Sequence, residues 1–481
     1  MKKRVQNFID GEWRASSGTE TITIVNPTTE EPYGVVGVAT PEDVDAAVTS
    51  AHRALNSDPW RGLSLTDRRR IVARVGDLLA VRSPELARIA SETTGAVYRN
   101  WLSLGDSVNL IRMYLEAVEK IQFEYVRRDA HGDSLITRRP VGVVAGIVPW
   151  NAPIRSEVKK VIPALLAGCT IVVKPSPEVT FGAAVFAEIC SEAGVPPGVV
   201  NMVPGGPSTG DALVRHPLVR KVAFTGSTAT GARIAEASSD TFKRLQLELG
   251  GKSAAVLLDD FELEATMPWM VRGNWSNSGQ ICVGLTRVLV PRSRHDELVG
   301  AFVQAAAEQV VGDPLDEATT MGPLVTQTHR RKVLNLIAAG VAEGADLVAG
   351  GGVADRRGWF VEPTVFAGVS NDMRIAREEF FGPVATIIPY DTVDQAVAIA
   401  NDSDYGLHGA VFGADELRAL DVARRIDTGS MGINRAFMPH SAPFGGVKQS
   451  GIGREHGVEG FDSFLEYVSY NLPPTLADRL T

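Results

Sequence analysis

Cysteine is scarce: the 481 residues include three, Cys169, Cys190 and Cys282. An odd, widely spaced set does not build a disulfide framework; it suits a reducing compartment and leaves a free thiol for chemistry. Long apolar runs are also lacking. Charges, proline or glycine interrupt every candidate before the ~20 residues that a bilayer span requires. The basic start Met1-Lys2-Lys3-Arg4 is followed by Gln6, Asn7, Asp10 and Glu12 rather than an apolar stretch, so no signal peptide is expected. Basic residues are outnumbered, 48 against 57 acidic ones, and the net charge of −9 disfavours a phosphate backbone as partner. Neither Cys-x-x-Cys nor His-Glu-x-x-His occurs, and the eight histidines show no metal-ligand spacing. Gly250-Gly251-Lys252-Ser253 resembles the end of a Walker A loop, yet Gln246 stands where its first glycine belongs. Gly451-Ile452-Gly453 follows no evident strand and reads as a loop. The expectation is a cytoplasmic protein without metal, nucleic-acid or membrane partners.

What is present is ordinary globular composition, 44% hydrophobic and 22% charged, over a length that calls for two or three domains. Residues 8–13 and 22–27 read as short strands; 41–57, 65–82, 84–94 and 101–121 carry helical periodicity. Residues 125–139 are polar and alternating, a projecting hairpin. Residues 141–148 form an apolar, β-branched run closed by Pro149, which predicts a buried strand. Strand-like runs at 170–173, 199–203, 222–225 and 245–249 then alternate with helical ones at 156–166 and 180–193 and one ending near Ala237. This alternation predicts an α/β fold with a doubly wound parallel sheet, which binds ligands beyond the carboxyl ends of its strands. Asn151, Lys174, Pro204, Gly226 and Glu248 occupy those ends. A second α/β pattern covers 254–444, with strands at 255–258, 288–290 and 385–388, and the tail 464–470 alternates as a strand with few obvious partners in its own domain.

Several residues invite chemistry, each with a plain structural alternative. Cys282, in Asn277-Ser278-Gly279-Gln280-Ile281-Cys282, is either a buried core thiol or a nucleophile on a tight loop. Glu248 is a surface carboxylate or a base at a ligand cleft; Asn151 is a turn former before Pro153 or an amide donor to an oxyanion. The turn Gly226-Ser227-Thr228 caps a helix, and it can also cradle phosphate.

Taken together these segments resemble the aldehyde dehydrogenase superfamily. The matching pieces run in family order: Pro149-Trp150-Asn151, Lys174-Pro175-Ser176, Phe224-Thr225-Gly226-Ser227-Thr228, Glu248-Leu249-Gly250-Gly251-Lys252 and Asn277-x-Gly279-Gln280-x-Cys282. Glu378-Glu379-Phe380-Phe381-Gly382-Pro383 and Pro443-Phe444-Gly445-Gly446, with Gly453-Arg454-Glu455, complete them. The resemblance implies oxidation of an aldehyde to the acid with NAD(P). Cys282 would form a thiohemiacetal and then a thioester, Asn151 and the Cys282 N–H would hold the oxyanion, and Glu248 would activate the hydrolytic water. It places Lys174 on the adenosine ribose, Gly226 and Ser227 by the pyrophosphate, Glu379 on the nicotinamide ribose and Phe381 nearby, with Ile147, Val148, Pro149 and Trp150 as the adjoining wall. Ser176, Pro177, Glu178, Gly210, Phe224, Thr225, Thr230, Leu249 and Gly250 complete that cofactor set.

Departures from the family bear on specificity. Pro177 stands where NAD-preferring members often carry an acid, and Glu178 follows; NAD is favoured, with NADP as the alternative. Ala152 replaces a frequent aromatic, and Arg155, Ser156 and Lys159 replace apolar residues. With Trp275, Ile281, Val283 and Phe444 they are expected to line a roomy tunnel with a cationic mouth, unless Arg155 and Lys159 pair with carboxylates such as Glu157. A CoA-acylating enzyme, a silent NAD-binding structural member, and an enzyme for phosphorylated or CoA-linked aldehydes are the competing readings. The expected parts are a cofactor domain (1–124 and 142–249), a catalytic domain (250–451) and a small β oligomerisation element (125–141 and 452–481) that makes a homodimer or homotetramer.

Overall fold

A strand without charges on either face needs cover on both sides, and the run 141–148 receives it. In a computed structural model, which describes residues 3–101 and 105–480, it forms the strand Val143–Val148, buried at every position in an eight-stranded sheet. Met1 and Lys2 of the basic start, and residues 102–104 of the expected helix 101–121, lie outside the described residues. Thr170–Pro175 and Val200–Met202 extend this sheet on one side, and Val219–Thr225 and Arg244–Glu248 on the other, all parallel. The strand order therefore reverses between Val143–Val148 and Val219–Thr225, and ligand clefts open at such a switch point. Asn151 follows one of these two strands and Gly226 the other.

Helices cover both faces. Arg155–Ala167 and Thr180–Glu192 pack on one face with Leu65–Val81 and Gly105–Glu119; Pro41–Asn56, Pro207–Arg215 and Thr228–Ser238 pack on the other. A second, seven-stranded sheet carries the rest of the chemistry. Its centre is Arg287–Pro291, Ala254–Leu257 and Gly409–Phe412, parallel and fully buried. The fold is α/β with parallel-sheet layers, as the alternation implied.

The tail strand and the hairpin, grouped in one β element from the sequence, do come together. Leu465–Leu472 pairs antiparallel with Gly132–Pro140 of its own chain along its full length, Leu465 opposite Pro140 and Leu472 opposite Asp133, because the hairpin offers an open edge. The stretch 452–464, grouped above with the oligomerisation element, instead returns to the first sheet. Its helix Gly457–Asp462 brings Phe461 and Phe464 into the core around Tyr114 and Val161. Gly451-Ile452 is not a loop but a short strand antiparallel to Leu247-Glu248. Only glycine fits there: φ is +142°, and a Cβ would stand 1.9 Å from the Leu247 carbonyl oxygen.

Candidate active site

The nucleophile candidate hangs from a strained turn. The helix Leu263–Trp275 ends in the 3₁₀ turn Ser276–Gly279, where Asn277, Ser278 and Gly279 have φ of 51°, 56° and 72°. Side-chain-bearing residues in this region cost of order 1 kcal/mol or more each and persist only when the surroundings enforce them. Here Ser278 Oγ donates to the Gly322 carbonyl at 2.8 Å, and Gln280 Oε1 accepts from the Val325 N–H at 3.0 Å. Across the cleft Asn277 Nδ2 donates to the Asn151 carbonyl (3.1 Å) and Asn151 Nδ2 donates to the Gln280 carbonyl (3.0 Å). The turn after Val143–Val148 and the nucleophile loop thus interlock. One N–H of the Asn151 amide is used in doing so, and the other remains for a ligand.

Cys282 is partly exposed and lines a cavity of about 200 Å³ with Asn151, so it is not a core thiol. Burial pushes its thiol up to about 11, with the Lys159 ammonium pulling the other way. Ala152, Arg155, Lys159, Ile281, Val283 and Phe444, all expected in the tunnel, line the same cavity. Trp275 does not: it is buried in the core of the second sheet against Phe302, because it belongs to the inward face of its helix. Ser156 is buried in the helix Arg155–Ala167 and also lies outside the lining.

The carboxylates are set by burial and lysines. Glu248 ends its strand 3% exposed, which rules out the surface alternative, and neither oxygen has a hydrogen bond among the described residues. Burial, then the neighbouring Glu455, raises its carboxyl well above the ordinary range. Burial opposes ionisation of Glu455 as well, but Lys160 at 2.8 Å and Lys159 at 3.1 Å outweigh it and hold Glu455 below that range. Lys159 therefore pairs with Glu455, 296 positions away, and not with Glu157, whose oxygens have no hydrogen-bond partner among the described residues. Glu455 had no role assigned from sequence. The doublet Lys159-Lys160 on a largely buried helix was the available signal, since a buried ammonium group such as that of Lys160 needs a counter-charge.

The proposed cofactor residues border the carboxyl ends of the first sheet. Lys174 Nζ donates to the carbonyls of Pro175 (2.8 Å) and Gly205 (2.7 Å), and burial pulls its pKa down to about 8. Gly210 lies against it: a Cβ there would make ordinary contact, 3.5 Å from the Lys174 stem. Ser176 donates to Glu178 beside the turn Pro177–Val179. Gly226 leaves the strand that carries Phe224 and Thr225, and a Cβ on it would be 2.4 Å from the Phe224 ring. Ser227 then caps the helix Thr228–Ser238, accepting from the Thr230 N–H. Glu379 Oε1 accepts from the Gly251 N–H at 2.9 Å, against Gly250, while Leu249 packs on Gly231. Phe381, at φ +52°, meets Trp150 edge-on at 5.3 Å. Ile147 and Val148 turn their side chains into the cores, which leaves Pro149 and Trp150 as the side-chain part of that wall. His329 was missed; it meets Trp150 edge-on at 5.5 Å and contacts the Phe381 carbonyl at 2.7 Å.

The sequence model of the aldehyde dehydrogenase family matches residues 13–469. The chain belongs to the aldehyde dehydrogenase family. It is 45% identical over 469 residues to a geranial dehydrogenase of Castellaniella defragrans, covering 97% of this chain and 98% of that one. It is 42% identical to a 3-succinoylsemialdehyde-pyridine dehydrogenase of a Pseudomonas species, again over 97% and 98% of the two chains. An aldehyde dehydrogenase of Mycobacterium tuberculosis, solved in complex with NAD+, superposes with a TM-score of 0.96 at 42% identity, over 98% of this chain and 99% of the other. Among the described residues of this aldehyde dehydrogenase family member, no helix is long and apolar enough to cross a membrane. Further cavity-lining residues lay outside the expected set: Asn277, His408, Phe437, Met438 and His456. His408 has both ring nitrogens engaged, by Ser430 and the Ala436 carbonyl at 2.9 Å each, and burial holds its pKa down to about 4.

Proposed function

We propose that this chain oxidises an aldehyde to the carboxylic acid, with Cys282 as nucleophile, Asn151 as oxyanion donor and Glu248 as the base that activates water. The observation that carries this reading is that Cys282 and Asn151 share one cavity while Glu248 stands buried and unbonded near the same thiol. A carboxylate with no partner is available to a water, and its raised pKa makes it a stronger base near neutrality. At rest the Cys282 site favours the thiol, so ionisation accompanies attack on the aldehyde carbon to form the thiohemiacetal. The second N–H of Asn151, with the Cys282 N–H, is directed at the oxyanion; such donors contribute about 3 kcal/mol each. The thioester then formed on Cys282 is hydrolysed by water that Glu248 deprotonates.

NAD, when bound, supplies the hydride acceptor. The groove chemistry suits it: the Lys174 ammonium and the N-terminus of Thr228–Ser238 offer cationic and N–H donors to phosphate, and Glu379 offers a carboxylate to ribose hydroxyls. Glu178, near Lys174, disfavours a ribose 2′-phosphate, which supports NAD over NADP. The neighbour solved with NAD+ is in line with NAD, and the relatives named for geranial and for 3-succinoylsemialdehyde-pyridine are in line with aldehyde oxidation. The sheet Leu465–Leu472, Gly132–Pro140, Glu124–Asp129 has two open edges, which supports pairing between subunits into a dimer or tetramer.

The test is NADH and NADPH formation over a panel of aldehydes without added CoA, with Cys282→Ala alongside. Acid production with NADH, abolished in Cys282→Ala, is expected. Activity that depends on CoA, or that survives the substitution, overturns the reading.

A further inference from the structure

A buried imidazole with one nitrogen unbonded among the described residues stands in the wall of the cavity that holds Cys282. His456 has φ of 62°, a conformation rarely adopted by a residue bearing a Cβ. It lies beside Phe444, with ring centroids 5.5 Å apart, and beside His440 at 5.6 Å. It is 4% exposed, lines the cavity, and its Nε2 has no hydrogen-bond partner among the described residues. Buried polar atoms are normally paired, with protein or with water, and in a ligand cavity the water is what a ligand atom displaces. An orphan nitrogen in a ligand cavity therefore marks the place of a ligand atom. Burial, then Lys159, outweighs the attraction of Glu455 and keeps the ring neutral, and a neutral imidazole presents one N–H and one lone pair.

The neighbouring charges are already spoken for. Lys159 spans the Glu455 carboxylate at 3.1 Å and the face of Phe444 at 4.9 Å, and Glu455 is shared with Lys160 at 2.8 Å. Lys159 is therefore not a free cation, and the Nε2 of His456 is an atom of this wall without a hydrogen bond among the described residues. Ala152, Ile281, Val283, Phe437 and Met438 supply apolar surface around the same space.

We propose that His456 is a specificity-determining residue, and that the substrate is an apolar-bodied aldehyde carrying an uncharged hydrogen-bonding oxygen, a keto or hydroxyl group, along its chain. This rests on the aldehyde-oxidising reading of Cys282. The experiment compares kcat/KM for saturated straight-chain aldehydes with that for keto- and hydroxy-substituted counterparts of equal length, in wild type, His456→Phe and His456→Gln. A preference of about tenfold or more for the oxygenated member of at least one pair is expected, carried in KM. It should fall to about one in His456→Phe and be partly restored in His456→Gln, which keeps a donor and an acceptor. Equal kcat/KM within every pair, or a preference unchanged in His456→Phe, overturns the proposal. So does a preference for carboxylated aldehydes that vanishes in Lys159→Met, which would assign the wall to anions. Oxidation of no aldehyde at all overturns the reading of Cys282 and this proposal with it; oxidation without discrimination overturns this proposal alone.

Discussion

The two sides of the candidate active site are held in place by different forces. The nucleophile side is a backbone construction: three consecutive left-handed residues, Asn277 to Gly279, fixed by hydrogen bonds to Asn151, Gly322 and Val325. The carboxylate side is a charge construction: Glu248 has no hydrogen bond among the described residues, and Glu455 is fixed by two lysines from one helix. A backbone turn is indifferent to pH and sets where an atom sits. A buried charge cluster responds to pH and sets which group carries a proton. The contrast suits a site in which the thiol must be positioned while the base must exchange protons.

The largest effect should come from the charge side. Lys160→Met leaves buried Glu455 with half its compensation and should cost about 3–5 kcal/mol of stability at neutral pH. Glu455 is depressed in the fold, so the stability it contributes is present above the ordinary carboxylate range and lost as pH falls through its lowered value. The deficit of Lys160→Met should accordingly shrink in acid, as read by denaturant unfolding at several pH values; a constant deficit would break the comparison. On the backbone side, Gly279→Ala combines a φ of +72° with a Cβ 2.0 Å from the Gly382 carbonyl oxygen. About 3 kcal/mol should be lost, equally at every pH, along with turnover.

Asn151→Ala removes both an interlocking hydrogen bond and the proposed oxyanion donor. A fall in kcat of about 100-fold, roughly 2.7 kcal/mol, is expected with KM for NAD little changed. Loss confined to stability would reduce Asn151 to a clasp. The smallest effect belongs to Glu248→Gln in the absence of substrate. The fold raises the Glu248 carboxyl, so its stabilising contribution is complete in acid and fades as pH rises through the raised value. The substitution should be near neutral in mild acid and stabilising by about 1 kcal/mol in alkali, measured as the difference in thermal midpoints. A pH-independent difference would place Glu248 outside the charge cluster.

The order of strands and helices was legible because a parallel sheet leaves an uncharged run such as 143–148 wherever both faces are covered. The sites at strand ends were legible for the same reason: Asn151, Gly226 and Glu248 end runs that the pattern already located. Nearness in sequence misled twice. Trp275 stands seven positions before Cys282, yet its helix turns it into the core. Glu157 sits within one turn of Lys159, yet the lysine reaches Glu455 instead.

By itself, then, the sequence determined the α/β layering, the strand-end positions and the thiol, carboxylate and amide that a resemblance could join, because periodicity and local turn chemistry are short-range. Tertiary structure alone decided which carboxylate the lysines hold, which side of the cavity carries the orphan imidazole of His456, and where residues 451–464 pack. Charge pairing and burial depend on which surfaces meet across hundreds of residues, and no local pattern encodes that meeting.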